Sequence, residues 1–231
     1  MNNAAVFTVG ISGHRPNRMA IGADEIGRRL YWTLSGLRSG CRAAERVAVS
    51  ALAEGSDRLF AEAALSLGYR LDVVLPFKSA DYQTTFSDAR TTPAYLELLG
   101  RADRVDELDG TLDDTKTAYE RVGRETVRRA DVLITVWDGE GAAGRGGTSE
   151  IIQLALDAGK PVIWIDAARL RLPRLIAKSR VGAPREVPFA KLAARARPLM
   201  RRRIAAPVSY THLRAHETSL PISYAVFCLK I

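Results

Sequence analysis

The amino-acid sequence predicts an α/β fold in which helices cover both faces of a parallel sheet. Two observations carry that expectation. Short runs rich in β-branched and apolar residues alternate with segments whose apolar residues recur at helical spacing. One of the runs, Val132–Trp137 (VLITVW), is apolar nearly throughout, as a strand buried on both faces must be.

The elements follow in order. Val6–Ile11 (VFTVGI) reads as the first strand. Asp24–Leu37 sets Ile26, Leu30, Leu34 and Leu37 on one helical face. Arg46–Ser50 is a second strand, and Asp57–Leu67 a second helix with Ser56 as N-cap and Gly68 just past its end. Leu71–Leu75, stopped by Pro76, is a third strand. Tyr82 and Phe86, then Tyr95, Leu96, Leu98 and Leu99, suggest one or two short helices within 77–103. Arg104–Leu108 reads as a short fourth strand, Ala118–Arg129 as a helix, and Thr148–Ala158 as a helix closed by Gly159 and Pro161. Val162–Asp166 (VIWID) reads as the last strand. Such βα repetition implies right-handed crossovers. The expected result is a doubly wound, Rossmann-like parallel sheet in three layers, α/β/α, spanning residues 1–167.

Composition narrows the function. The chain has 231 residues and a net charge of +8. The basic excess is local, because residues 168–207 hold twelve arginines and lysines against the single Glu186. The rest is mildly acidic by difference, which argues against a uniformly basic nucleic-acid-binding domain. Residues 168–207 read as a basic surface helix or linker. Cys41 and Cys228 stand far apart, so neither a disulfide framework nor a cysteine metal site is expected. No apolar run approaches the ~18 residues that would span a bilayer, and no secretory signal is visible at the start. A cytoplasmic protein without a membrane segment in this stretch is expected.

Val208–Thr218 (VSYTHLRAHET) and Ile222–Lys230 (ISYAVFCLK) resemble translated sequencing-adapter DNA, joined by Ser219, Leu220 and Pro221. Residues 208–231 are therefore read as a non-native tail, and His212, His216 and Cys228 are set aside. The natural chain is expected to continue beyond Pro207.

In an open α/β sheet, ligands bind beyond the carboxyl ends of the strands. Three loops there hold candidate residues. Ser12, Gly13, His14 and Arg15 follow the first strand, where Arg15 offers a fork suited to phosphate or carboxylate. Glu54, Gly55 and Ser56 follow the second strand and open a helix, which makes an anion site or a simple helix cap. The third loop runs from Asp138 through Gly146, Gly147 and Thr148 to Glu150. It carries five glycines in the nine residues 139–147 and ends at a helix start suited to an anion. It contains a literal G-x-G-x-x-G, but not in the first βα unit. It also approaches a P-loop, yet Gly147 stands where the lysine belongs, which disfavours a Walker-type NTPase. Lys78, after the third strand, is a lesser candidate and reads as a solvated loop lysine. Glu150 offers a carboxylate for a ribose hydroxyl, an anomeric carbon or a proton, or else a favourable first-turn charge.

Together these loops resemble the SLOG superfamily, the Rossmann-like group that includes the LOG cytokinin-activating enzymes and the DNA-processing protein A family. Gly10–Pro16 is similar to its GHR first loop. Ser50–Leu65 is similar to the second-strand loop and helix of the DNA-processing relatives, and Gly146–Glu150 to the GGT-acid signature. The likeness covers roughly residues 5–167. It departs from the LOG phosphoribohydrolases, whose motif is P-G-G-x-G-T-x-x-E: no proline begins it here, and Glu150 comes one residue sooner. The same segment is also similar to nucleoside deoxyribosyltransferases, with Asp138 and Glu150 as the matching acids. The resemblance implies a domain that binds a nucleotide or nucleotide-derived ligand as a sensor, within a longer protein. Gly13, His14 and Arg15 would meet one side of it, and Gly146, Gly147 and Thr148 would cradle its phosphate. The alternative is an enzyme that cleaves or transfers an N-glycosidic bond through Glu150. No cofactor and no metal are implied, a homodimer is compatible, and DNA is not the expected partner.

Overall fold

The computed structural model describes residues 5–41, 43, 45–141, 147–178 and 184–188. Gly146 and the tail from residue 208 onward lie outside the described residues.

Eight strands form one sheet: Val6–Gly13 (β1), Glu45–Ser50 (β2), Arg70–Leu75 (β3), Arg104–Glu107 (β4), Val132–Trp137 (β5), Val162–Asp166 (β6), Arg174–Lys178 (β7) and Pro184–Pro188 (β8). Their spatial order is β4-β3-β2-β1-β5-β6-β7-β8. β1 through β6 pair in parallel, and β7 and β8 extend the sheet antiparallel. The order runs outward from β1 in two directions, so the topological switch lies between β1 and β5. The helices are Ala23–Gly40 (α1), Ser56–Ser66 (α2), Ser79–Gln83 (α3), Thr92–Gly100 (α4), Thr115–Arg129 (α5) and Thr148–Asp157 (α6).

The alternation of side chains along each strand divides the core between the two faces. Phe7, Val9 and Ile11 of β1 and Ile134 and Val136 of β5 join one cluster with Ile26, Leu30 and Leu34 of α1 and Phe60 of α2. Leu133 of β5 packs with Val127 of α5 and Ile151, Ala155 and Leu156 of α6. Val47 and Val49 of β2 and Val74 of β3 meet Val122 of α5. Helices thus lie on both faces, giving the expected three layers.

Three local expectations change. β1 runs on to Gly13, so Ser12 and Gly13 are strand residues that pair with Thr135 and Val136 of β5. α2 begins at Ser56 with Gly55 as its N-cap, and Ser56 caps nothing. Its hydroxyl donates instead to the carbonyl of His14, 3.0 Å away. The helix expected from Ala118 starts at Thr115, because the Asp114 side chain accepts from the Thr117 N–H.

Of residues 168–207, expected to be a basic helix or linker, the described part holds β7 and β8, which pair antiparallel at the sheet edge, and residues 189–207 lie outside the described residues. Leu175 and Ile176 supply the reason: both are buried, one in the cluster under α1 and the other in the cluster under α6. The arginines around them hid that alternation.

Candidate functional site

A cleft of about 400 Å³ opens at the carboxyl ends of β1 and β5, beside the switch point. Its walls come from the end of β1 and the turn after it (Ser12 to Arg15, Asn17, Arg18), the β2–α2 loop (Ala51, Ala53, Asp57), Tyr82, α5 (Lys116, Tyr119, Val122), Trp137, and the start of α6 (Gly147, Thr148, Ser149).

His14 forms one wall. Its ring is buried, with Nε2 3.0 Å from Asp138 Oδ1, at an angle poor for a hydrogen bond. Nδ1 lies 3.4 Å from the Thr148 hydroxyl. Burial pushes the imidazole below its ordinary range, and this outweighs the upward pull of Asp138. Arg18 donates to the other carboxylate oxygen of Asp138, from Nε at 2.8 Å and from Nη2 at 2.6 Å. Burial opposes the charge on Asp138, but His14, the Glu140 N–H and Arg18 hold its carboxyl below the usual range. The ends of β1 and β5 are therefore joined by a chain of polar contacts to the first residue of α6.

The β2–α2 loop is tightly bound to the rest of the protein. Leu52 adopts φ 54°, the left-handed region a branched side chain rarely enters. The Ser50 hydroxyl accepts from its N–H and Arg58 Nε donates to its carbonyl, which hold it there. Glu54 is 4% exposed. Its carboxylate accepts from the Ser87 N–H and hydroxyl, the Asp88 N–H, the Thr91 hydroxyl and Arg15 Nη1. Those donors outweigh burial and keep the carboxyl below its usual range. Gly55 has φ 92°, and a Cβ there would lie 2.8 Å from the His14 carbonyl oxygen. Gly13 is just as constrained, since a Cβ would lie 2.5 Å from Ser56 Oγ. The first N–H of α2 also donates to the His14 carbonyl, at 3.2 Å. The anion site considered at this helix start is filled by the protein's own oxygen.

The start of α6 differs. Gly147 is its N-cap, with extended backbone and no side-chain cap, and Thr148 and Ser149 line the cleft. The positive end of a helix therefore faces the cleft. Arg15 reaches over from the opposite side. Its contacts to Glu54, Thr85 and the Tyr119 hydroxyl are 3.3–3.4 Å, long for charge-assisted bonds, and its side chain stays 36% exposed. Lys116 adds a third cation to the lining.

The structure thus brings Ser12, Gly13, His14, Arg15, Asp138, Gly147 and Thr148 around one cleft, with Asp138 behind His14. It removes Glu54, Gly55 and Ser56 from direct contact by using each internally. Glu150, in the first turn of α6, does not line the cleft, whereas Thr148, Ser149 and Ile151 do. Lys78 pairs with Glu107 instead, at 3.0 Å.

Sequence reasoning missed Arg18, Asp57, Tyr82, Lys116 and Tyr119. Asp57 carries only a faint signal in the sequence, an acid in the first turn of a helix. It is buried, and the backbone N–H groups of Ala51 and Ala53 pull its carboxyl down. Desolvation raises its carboxyl to about 7, against those donors and the charges of Arg15 and Arg58.

Among the described residues no group of three or more His, Cys, Asp and Glu side chains is arranged to hold a metal ion. Nor is any helix among them long and apolar enough to cross a membrane.

No protein-family model matches the chain, and no curated protein does. Solved structures do. DNA processing protein A from Streptococcus pneumoniae is similar at 18% identity and a TM-score of 0.48, over 69% of this chain and 50% of that one. The chain therefore spans half the length of that protein. DNA processing protein A from Helicobacter pylori, described for its single-stranded DNA binding mode, is similar at 20% identity and a TM-score of 0.48, over 72% and 66%. The structural-genomics target TM1055 follows at 14% identity and a TM-score of 0.42, over 68% and 72%. At these identities the likeness is one of fold alone.

Proposed function

We propose that this domain binds a nucleotide or nucleotide-derived ligand in the cleft between β1 and β5, and serves as its sensor. One observation carries the reading: the start of α6, whose N-cap Gly147 supplies no side-chain cap, opens into a cleft that Arg15 and Lys116 also line. Backbone N–H groups, a helix dipole and a guanidinium fork converging on one volume suit a phosphate. Tyr119 and Trp137 on the walls supply ring faces for a base. The N-glycosidic alternative asks Glu150 to reach an anomeric carbon, and a residue outside the cleft lining does not favour it.

The test is a thermal-shift panel of nucleotides on the full chain, with mass spectrometry of each mixture after incubation. A short single-stranded oligonucleotide belongs in the panel, because the similar Helicobacter protein is described for binding single-stranded DNA. The expectation that DNA is not a partner is thereby put to measurement. The sensor reading expects a mononucleotide to raise the melting temperature by mass action and to be recovered intact. Arg15→Ala should weaken binding about tenfold, the loss of one charge-assisted contact. Release of a free base would make the protein an enzyme. Stabilisation by the oligonucleotide alone, weakening steeply with salt, would make it a DNA-binding domain.

A further inference from the structure

Four tyrosines in the core-forming part of the molecule are well buried or packed among rings, and all but one have settled their hydroxyls. Tyr69 donates to the Leu34 carbonyl at 2.9 Å. Tyr95 pairs with the Ser79 hydroxyl at 2.9 Å. Tyr119 meets the Thr85 hydroxyl and Arg15. Tyr82 is wholly buried, yet its hydroxyl has no hydrogen-bond partner among the described residues. The ring has little freedom to find one. Phe77, Phe86, Tyr95 and Tyr119 pack around it at centroid distances of 6.2, 5.3, 6.0 and 6.5 Å. An unpaired buried hydroxyl costs stability, and a native protein that keeps one has a reason for it.

Tyr82 lines the cleft, and so does Asp57. Asp57 and Arg15 are both among the charged groups that act on the Tyr82 hydroxyl. Backbone N–H groups of Ala51 and Ala53 act on the Asp57 carboxyl, which has about four lone-pair directions. This part of the cleft therefore holds unused acceptor capacity at Asp57 beside an unused hydroxyl at Tyr82. A phosphate suits it badly, because its charge would sit against a buried carboxyl whose ionised form burial already disfavours. A neutral group that donates hydrogen bonds suits it well.

We infer that Asp57 and Tyr82 form a recognition subsite that takes a hydrogen-bond donor from the nucleoside end of the ligand, either a sugar hydroxyl or an exocyclic amine of the base. This deepens the nucleotide reading and rests on it. It also gives the ligand a direction, with phosphate at the start of α6 and nucleoside toward Asp57 and Tyr82. Specificity then arises from a buried polar pair that stays unsatisfied when the wrong ligand binds, a stronger filter than apolar fit.

The experiment is calorimetric titration of the full chain with AMP, GMP, CMP, UMP and IMP, and with the 2′-deoxy form of each. Wild type, Tyr82→Phe and Asp57→Asn are compared, with a melting curve for each variant. Tyr82→Phe should weaken the best ligand about fivefold to tenfold, the loss of one hydrogen bond. Its melting temperature should hold or rise, since only an unpaired hydroxyl is lost. A wild-type preference for ribose over 2′-deoxyribose, erased in Tyr82→Phe or Asp57→Asn, identifies the donor as a sugar hydroxyl. A preference for AMP over IMP or CMP over UMP, erased in the same way, identifies it as an amine. Both variants binding like wild type overturns the subsite and leaves the nucleotide reading intact. Wild type binding none of the nucleotides overturns both.

Discussion

The β2–α2 and β5–α6 loops present the same local signal: a glycine, a short polar residue and the start of a helix at the carboxyl end of a strand. They end up opposite in use. In the β2–α2 loop the His14 carbonyl takes both the hydroxyl and the N–H of Ser56, and the Glu54 carboxylate is consumed by residues 87–91 and Arg15. In the β5–α6 loop Gly147 leaves the helix uncapped and facing the cleft. A helix start binds an anion only when the protein has not already supplied one. The first loop is scaffold, and it holds His14 and Arg15 in position for the second.

The comparison breaks most visibly at Gly55. A Cβ there would meet the His14 carbonyl oxygen at 2.8 Å on a backbone with φ 92°. Gly55→Ala should cost roughly 2–4 kcal/mol in urea unfolding, strain and overlap combined. An unchanged midpoint would mean that the loop is not the fixed scaffold described.

Asp57 gives the next effect, through pH. Its carboxyl is raised to about 7 in the folded chain, from 3.8 without burial. The native state therefore keeps a proton that the unfolded chain releases. The contribution of Asp57 should be complete below that lower value and be lost as pH climbs through about 7, by on the order of 1–3 kcal/mol. Asp57→Asn should flatten this decline. His14, which burial depresses, acts in the opposite sense by losing stability as pH falls, and it remains in both proteins. Identical pH profiles for wild type and Asp57→Asn would contradict the burial of an ionisable Asp57.

Ser56→Ala should cost about 1 kcal/mol, because it removes one of the two buried hydrogen bonds to the His14 carbonyl, whose other donor, the backbone N–H of residue 56, stays. Nucleotide affinity should barely move, since Ser56 supports the site without entering it. The smallest effect is expected at Glu150, where Glu150→Gln should leave the affinity of a bound nucleotide unchanged. A large loss there would return Glu150 to the ligand and revive the N-glycosidic reading.

Much of this was legible in the residues. The period-2 strands and the helix from Asp24 to Leu37 marked the sheet and α1, because burial on one face of a regular element leaves a periodic trace. The β1 and β5 loops were legible for a related reason, as switch-point loops with glycine and basic or hydroxyl residues. What stayed hidden depends on contacts distant in sequence. Ser56 reads as an N-cap until the His14 carbonyl, 42 positions earlier, arrives beside it. Glu54 reads as a ligand contact until the segment around Ser87 folds over it. Tyr82 reads as core, which it is, and only its unpaired hydroxyl distinguishes it. The strands β7 and β8 were masked by arginines, whose charge dominates composition while Leu175 and Ile176 make the packing.

The most direct test of the central claim is Ser149→Asp. Ser149 is in the first turn of α6 and lines the cleft. A carboxylate there favours the helix start through its dipole, so the melting temperature should hold or rise. The same carboxylate occupies the volume assigned to phosphate, and should weaken nucleotide binding by at least about tenfold in titration calorimetry. A Ser149→Asp protein that folds and still binds nucleotide as tightly as wild type would contradict the assignment of the α6 start as the phosphate site.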